Sequence, residues 1–174
     1  DVPAMQDRLE QLGGEPCPGE ERLTCVTITV PLDHFDPSDS RKLDAVFGVL
    51  PASGESKGLF VIATGGPGSA GIGEYDVWVP YFADSILRSF DIVFFDQRGI
   101  GLSGGLTCPD AAAGYYRSVD DPVSAAAQFS DACTAEMGSP PILPFVGTEQ
   151  AVEDLEAFRL AVGAPRMWLY GVSY

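Results

Sequence analysis

The sequence contains only one histidine, His34, and its four cysteines include no C-x-x-C pair. This scarcity argues against a zinc site, because protein zinc is usually held by cysteines and histidines at such close spacings. The chain also lacks any apolar run of about 18 residues, the length at which a transmembrane helix becomes a candidate. We therefore predict neither a metal centre nor a membrane span.

Positive charge is scarce as well. Ten basic side chains face 25 acidic ones, which gives a net charge of −15. Such a field repels phosphate backbones, so nucleic acid is not an expected partner. Apolar residues make up 45% of the 174 positions, which is enough for one folded domain and excludes a disordered polymer.

The cysteines are even in number and lie in loop-flanked positions, a pattern that favours disulfide bonds. We predict that Cys17 pairs with Cys25 and that Cys108 pairs with Cys133. Disulfides persist in oxidising compartments, so the prediction places the protein in a secreted or periplasmic, cell-envelope location. Four buried free thiols in a cytosolic protein are the alternative.

The pattern of the chain predicts an α/β sheet that begins with an antiparallel hairpin. Residues 23–30 alternate apolar and polar side chains, as in a half-buried strand, and residues 43–50 follow as a second strand. Residues 59–64 form a continuous apolar run, which is typical of a strand buried on both faces of a parallel sheet. We expect 1–22 to be an N-terminal extension and 23–174 to belong to one domain, with a helical excursion at about 109–145.

The most informative motif lies near residue 174, where Gly171-Val172-Ser173 follows a short apolar strand. A helix precedes that strand, and we expect Thr148 to cap its start and Gly163 to end it. A serine on a sharp turn between a strand and a helix is typical of the G-x-S-x-G nucleophile elbow. We therefore predict that Ser173 is a catalytic nucleophile, the alternative being a serine in an ordinary turn.

A glycine-rich segment, residues 65–68, ends the buried strand at 59–64. Acyl transfer requires N–H donors aimed at the developing oxyanion, and glycine allows the backbone to approach closely. One donor follows the nucleophile and another comes from the loop after the third strand. We predict that the N–H groups of Gly66 and Tyr174 form this oxyanion hole.

The same loop has a second interpretation, because residues 66–71 also spell G-x-G-x-x-G. With Asp96 at the end of the next strand as a ribose acceptor, this resembles the fingerprint of a dinucleotide-binding domain. However, no clean amphipathic helix begins at Gly71, and two strands precede the motif. We therefore favour the oxyanion loop and expect no cofactor.

Two further polar groups are interpreted as structural. Residues 96–101 form a tight turn at the end of a strand, where we expect Asp96 and Arg98 to bond to local backbone. His34 lies in the turn between the first two strands. Because the order serine, acid, histidine is expected along a chain of this fold, we do not expect His34 to be the catalytic base.

Together these segments resemble the α/β-hydrolase family of proline iminopeptidases and, more closely, secreted tripeptidyl aminopeptidases. The matching segments are 30–33, 65–68, 90–101 and 169–174, and Cys108 also fits that branch. The resemblance implies an α/β-hydrolase fold, with this chain as the N-terminal half of the core up to the nucleophile elbow.

The resemblance also implies Ser173 as nucleophile, Gly66 and Tyr174 as oxyanion donors, and removal of residues from the free N-terminus of a peptide. Thr64 stands where many iminopeptidases carry histidine, which leaves the substrate class open.

The family's catalytic acid and histidine lie downstream of the elbow, and a serine without a base is a poor nucleophile. We therefore expect these 174 residues to be inactive alone and to act with the remaining C-terminal part of the hydrolase, on the same or a separate chain. The expected substrate is a peptide or a small acyl compound. An esterase or amidase and a non-catalytic, hydrolase-like binding module are the alternatives.

Overall fold

The structure is a computed structural model, and it describes residues 4–66, 68–117 and 122–173. The helices are α1 (Met5–Gln11), α2 (Tyr75–Trp78), α3 (Asp84–Ser89), α4 (Pro109–Arg117), α5 (Pro122–Glu136) and α6 (Thr148–Ala161). The strands are β1 (Glu15–Cys17), β2 (Glu20–Pro31), β3 (Lys42–Leu50), β4 (Leu59–Ala63), β5 (Asp91–Asp96) and β6 (Met167–Gly171). In this part of the chain, no helix combines the length and the apolar character needed to cross a membrane.

Within the described residues, six strands form one sheet in the order β1-β2-β3-β5-β4-β6. The pairs β1–β2, β2–β3 and β3–β5 are antiparallel, whereas β4 pairs in parallel with both β5 and β6. The predicted antiparallel hairpin followed by parallel strands is therefore confirmed, as is the α/β class. β6 lies at the edge of this sheet.

Helices cover both faces of the sheet, because the central strands carry apolar side chains on both sides. On one face α1 and α6 pack against the sheet, and the rings of Phe47 and Phe158 stack with centroids 4.3 Å apart. On the other face α2 and α3 cover a second cluster, in which Tyr75 meets Phe94 edge-on at 5.7 Å. The result is a three-layer arrangement in which the sheet is the middle layer.

The helix before β6 begins one residue earlier than predicted. Thr148 is the first residue of α6, and Gly147 occupies the N-cap position without any side-chain hydrogen bond. The prediction that Thr148 caps the helix is therefore wrong, because its backbone has already entered the helix. Gly163 does end the helix as predicted: it has φ +64°, the left-handed conformation that glycine adopts without strain.

Both predicted disulfide bonds are present. Cys17–Cys25 joins β1 to β2, and Cys108–Cys133 joins the residue before α4 to the last turn of α5. β1 was not expected from the sequence pattern, and its pairing with β2 adds it to the same sheet. α4 and α5 lie within the predicted excursion at 109–145 and contact mainly each other.

Candidate active site

Ser173 lies two residues beyond the end of β6, where the chain turns sharply. Val172 still donates its N–H to the carbonyl of Ala63 in the neighbouring strand β4, at 3.1 Å. Ser173 itself has φ +63° and is exposed. A positive φ costs a residue with a Cβ some energy, and such strain accumulates at functional turns. This backbone conformation and exposure are those expected of a nucleophile elbow.

The loop after β4 requires glycine at residue 66. Gly66 has φ +129°, and a Cβ at this position would lie 2.7 Å from the backbone nitrogen of Gly68. Gly68 also has a positive φ, of +103°. Glycine carries no side chain that would keep a substrate oxygen from backbone N–H groups, which is what binding an oxyanion demands.

The sheet brings the Ser173 turn and the Gly66 loop to the same corner. β4 and β6 are adjacent and parallel, and Ala63 lies opposite Gly171 in their register. Neighbouring strands are about 4.8 Å apart, so the segments that leave the two carboxyl ends start side by side. Tyr174, the other predicted oxyanion donor, lies outside the described residues. The assignment of Ser173, Gly66 and Tyr174 to a catalytic site stays a prediction.

We expect Gly66→Ala in the complete protein, rather than in these residues alone, to lower kcat by about 10²–10³-fold, the cost of losing one oxyanion donor. The added Cβ would collide with Gly68 at a φ that alanine rarely adopts, so the loop would have to move. Gly73→Ala is a matched control, because a Cβ there meets nothing within 4 Å. Steady-state kinetics of both variants provide the test, and equal losses in the two would contradict the assigned role of Gly66.

The single histidine belongs to a buried polar cluster rather than to the Ser173 corner. His34 Nε2 is 2.8 Å from Asp154 Oδ1, and its backbone N–H donates to Gln150 Oε1 at 2.8 Å. β2, which precedes His34, lies four positions from β6 in the sheet, or roughly 19 Å across. The structure thus agrees with the prediction that His34 is not the base for Ser173.

Arg98 lies at the centre of this cluster and is completely buried. Its Nε donates to Asp154 Oδ2 at 2.7 Å, and its Nη1 donates to the carbonyl of Leu32 at 2.7 Å. The carbonyls of Pro31 and Phe145 accept longer bonds of 3.2 Å. The structural role is as expected, but the prediction of local backbone partners for Arg98 is wrong, because this long side chain reaches segments distant in sequence.

The geometry does not favour the dinucleotide interpretation of the glycine-rich loop. The elements that follow it directly are short: a 3₁₀ turn, Ile72–Glu74, the four-residue helix α2 and a second 3₁₀ turn, Val79–Tyr81. A pyrophosphate would need the N-terminus of a long helix at this position. Asp96, the candidate ribose acceptor, is buried, and both of its carboxylate oxygens accept backbone N–H groups.

The segment after the loop is anchored to β2 by Arg22. The guanidinium lies 4.4 Å from the centroid of the Tyr75 ring and forms ion pairs with Asp76 and Glu20. The hydrogen bond from Arg22 lowers the pKa of Glu20, and burial raises the pKa of Tyr75. These contacts hold α2 beside the sheet. In the described residues, no group of three histidine, cysteine, aspartate or glutamate side chains is placed to hold a metal ion.

Several curated proteins are similar to this chain. Carboxylesterase B of Mycobacterium tuberculosis is 33% identical over 152 residues, which are 79% of this chain and 28% of that protein. Tripeptidyl aminopeptidase of Streptomyces lividans is 27% identical over 172 residues, which are 87% of this chain and 31% of that protein. Serine protease Hip1 of Mycobacterium tuberculosis is 29% identical over 162 residues, 86% of this chain and 31% of its own length.

The similarity runs through most of the chain. The chain has the α/β-hydrolase fold. It spans about three tenths of the length of the curated relatives it matches. No model of a protein family matches the chain.

Within the α/β-hydrolase fold, the Ser173 turn and the Gly66 loop lie where a nucleophile and an oxyanion loop are expected. The Ser173 turn follows β6, and the Gly66 loop follows β4, the third strand of the fold if the short β1 is set aside. Two features were not predicted from the sequence: the bond that Asp96 accepts from Ile72, and the aromatic group around Tyr170. The Tyr170 ring meets Trp78 and Phe82 edge-on, at 6.1 and 6.3 Å. Only the run of aromatic residues between 75 and 82 hinted at this group.

Proposed function

We propose that this α/β-hydrolase chain supplies the nucleophile and the oxyanion hole of a serine hydrolase that cleaves peptide bonds near a free N-terminus. The observation that carries the proposal is the conformation of Ser173, exposed at φ +63° beside the strand that leads to Gly66. Ser173 Oγ attacks the substrate carbonyl, and an acyl-enzyme forms as the amine leaves. Water then releases the acyl group.

The developing oxyanion is stabilised by the N–H of Gly66 and, in this proposal, by the N–H of Tyr174. Both are backbone donors, which need no rearrangement as the negative charge develops. The chemistry uses the serine with a general base and requires no metal or cofactor.

The general base is a histidine outside this chain, oriented by an acid that also lies outside it. His34 is held by Asp154 and is remote from β6, so it cannot take the proton of Ser173. We therefore propose the remaining part of the hydrolase, on the same or a separate polypeptide, as the partner of these residues. The 174 residues alone are expected to be inactive.

Two substrate classes follow from the relatives. The tripeptidyl aminopeptidase and the serine protease favour a peptide, whereas the carboxylesterase favours a small ester or amide. The peptide is the primary proposal because segments 30–33, 65–68, 90–101 and 169–174 also resemble those of aminopeptidases. The two disulfides support a secreted or cell-envelope location.

Covalent labelling tests the proposal. In the complete hydrolase, meaning this chain together with the polypeptide that supplies the acid and the histidine, a fluorophosphonate should label Ser173, as peptide mapping would reveal. Tripeptidyl chromogenic substrates should be cleaved when their N-terminus is free and resist cleavage when it is acetylated. Hydrolysis of simple esters alone would favour the esterase, and absence of labelling would favour a non-catalytic binding module.

A further inference from the structure

Asp96, at the carboxyl end of β5, joins two loops through its side chain. Its Oδ1 accepts the backbone N–H of Ile72 at 3.0 Å, and its Oδ2 accepts the backbone N–H of Leu102 at 2.7 Å. The residue is only 2% exposed. A buried carboxylate is stable only when hydrogen bonds replace its lost water, so both amides are required partners of the charge.

Both loops also pack closely against the end of β5, one against its backbone and the other against the side chain of Asp96. A Cβ at Gly71 would lie 2.3 Å from the carbonyl oxygen of Phe95, and a Cβ at Gly101 would lie 2.1 Å from Asp96 Oδ2. These approaches are possible only for glycine. The two N–H···O bonds of Asp96 are therefore part of close contacts that the end of the strand makes with both glycine-containing loops.

One of these loops is the segment that carries Gly66. It leaves β4 after Ala63, which is fixed by its pairing with β6, and it ends at Ile72, which is fixed by Asp96. A cavity of about 360 Å³, lined in part by Ala70 and Ile72, lies beside the far end of the loop. Without the bond to Asp96, this end of the loop has space into which it can shift.

We propose that Asp96 is a positioning residue that fixes the oxyanion loop, an inference that rests on the proposed serine-hydrolase function. An oxyanion hole works because its donors are already in place when charge develops. Displacement of a reacting or stabilising group by about 1 Å costs on the order of 10²-fold in rate. Asp96 touches no reacting atom and acts only through the backbone between Ile72 and Gly66.

The chain provides a matched control at the other end of the same strand. Asp91 is 3% exposed, and its carboxylate also accepts two hydrogen bonds, from Ala52 N at 2.9 Å and from Ser56 Oγ at 2.6 Å. It lies at the amino end of β5, opposite the edge that carries Ser173. The variant Asp91→Asn should therefore disturb the fold to a similar degree without affecting the oxyanion loop.

The experiment compares Asp96→Asn with Asp91→Asn in the complete hydrolase. The asparagine side chain has an acceptor oxygen on one side and an NH₂ donor on the other, so it cannot accept both N–H groups. One loop therefore loses its hydrogen bond, and its backbone N–H faces the NH₂ group instead. We expect Asp96→Asn to lower kcat at least about tenfold with KM changed less than about twofold, and Asp91→Asn to leave both nearly unchanged. Kinetics are measured at a temperature at which circular dichroism shows both variants folded.

Amide hydrogen exchange gives a readout that does not depend on activity. Residues 65–72 should exchange faster in Asp96→Asn and at the parent rate in Asp91→Asn. Unchanged exchange in this segment, or faster exchange with an unchanged kcat, would overturn the positioning role. If the parent protein is not labelled at Ser173 by a fluorophosphonate, the proposed hydrolase function fails, whereas the exchange data still decide whether Asp96 holds the loop.

Discussion

Ser173→Ala is expected to lower kcat of the complete hydrolase by about 10⁶-fold, the loss seen when the nucleophile of a serine hydrolase is removed. The alanine side chain cannot form the acyl-enzyme, so only the oxyanion hole and substrate binding would still accelerate the reaction. KM and the fold should change little, because the side chain is exposed at the end of β6. Steady-state kinetics with a tripeptidyl substrate and labelling by a fluorophosphonate provide the measurement.

Ser139→Ala is a well-matched control for this experiment. Ser139 and Ser173 are the non-glycine residues with positive φ in the described part of the chain, at +51° and +63°. Both are exposed serines, but Ser139 lies in the turn after α5. Its replacement should leave kcat unchanged, and retained labelling of Ser173→Ala would contradict the assignment of the nucleophile.

The variant Ser173→Gly distinguishes backbone strain at residue 173 from the catalytic role of the serine side chain. Ser173→Gly should be as inactive as Ser173→Ala but more stable than it by about 1 kcal/mol, because glycine adopts a positive φ without the penalty of a Cβ. Urea unfolding of the two variants measures this difference. Equal stability would indicate that the turn is not strained at this residue.

Asp154→Ala is expected to lower the free energy of unfolding by about 3–5 kcal/mol. The substitution removes the carboxylate that accepts two bonds from Arg98 and one contact from His34. The guanidinium of Arg98 would then remain buried without a counter-charge, which is the costly way to break a buried ion pair. Urea unfolding followed by circular dichroism measures the change.

Glu156→Ala tests whether burial of the ion pair is the reason for the loss of stability expected in Asp154→Ala. Glu156 lies on the same helix and pairs with Arg159 at the surface, where the hydrogen bond from Arg159 lowers the pKa of Glu156. Solvent screens this pair, so its loss should leave the melting temperature nearly unchanged. If the two variants were equally stable, the cluster around Arg98 would not hold the fold together.

Local sequence patterns predicted much of the fold. The alternation at residues 23–30 and the apolar run at 59–64 identified β2 and β4. A strand buried on one face alternates apolar and polar residues, and a strand buried on both faces is apolar throughout. The tight loop after β4 was also predictable from its glycines, since only glycine accepts the φ of +129° found at residue 66. Cys17–Cys25 and Cys108–Cys133 followed from loop-flanked positions close in sequence.

The missed contacts join residues far apart in sequence. Arg98 and Asp154 are 56 residues apart, and Asp96 reaches back 24 residues to Ile72. Nothing in the local pattern around either acid distinguishes a surface carboxylate from a buried one. β1 was missed for a related reason, because a three-residue strand between proline and glycine turns has no periodicity to detect.

The sequence by itself determined the residue types of the candidate site: a serine after a short strand, and glycines where the backbone must turn tightly. These are local requirements, set by sterics within a few residues. Only the tertiary structure decided that the two segments leave neighbouring parallel strands at one corner, and that the lone histidine is held elsewhere by Asp154. Such placement depends on strand order and on the packing of distant segments, which no short stretch of sequence encodes alone.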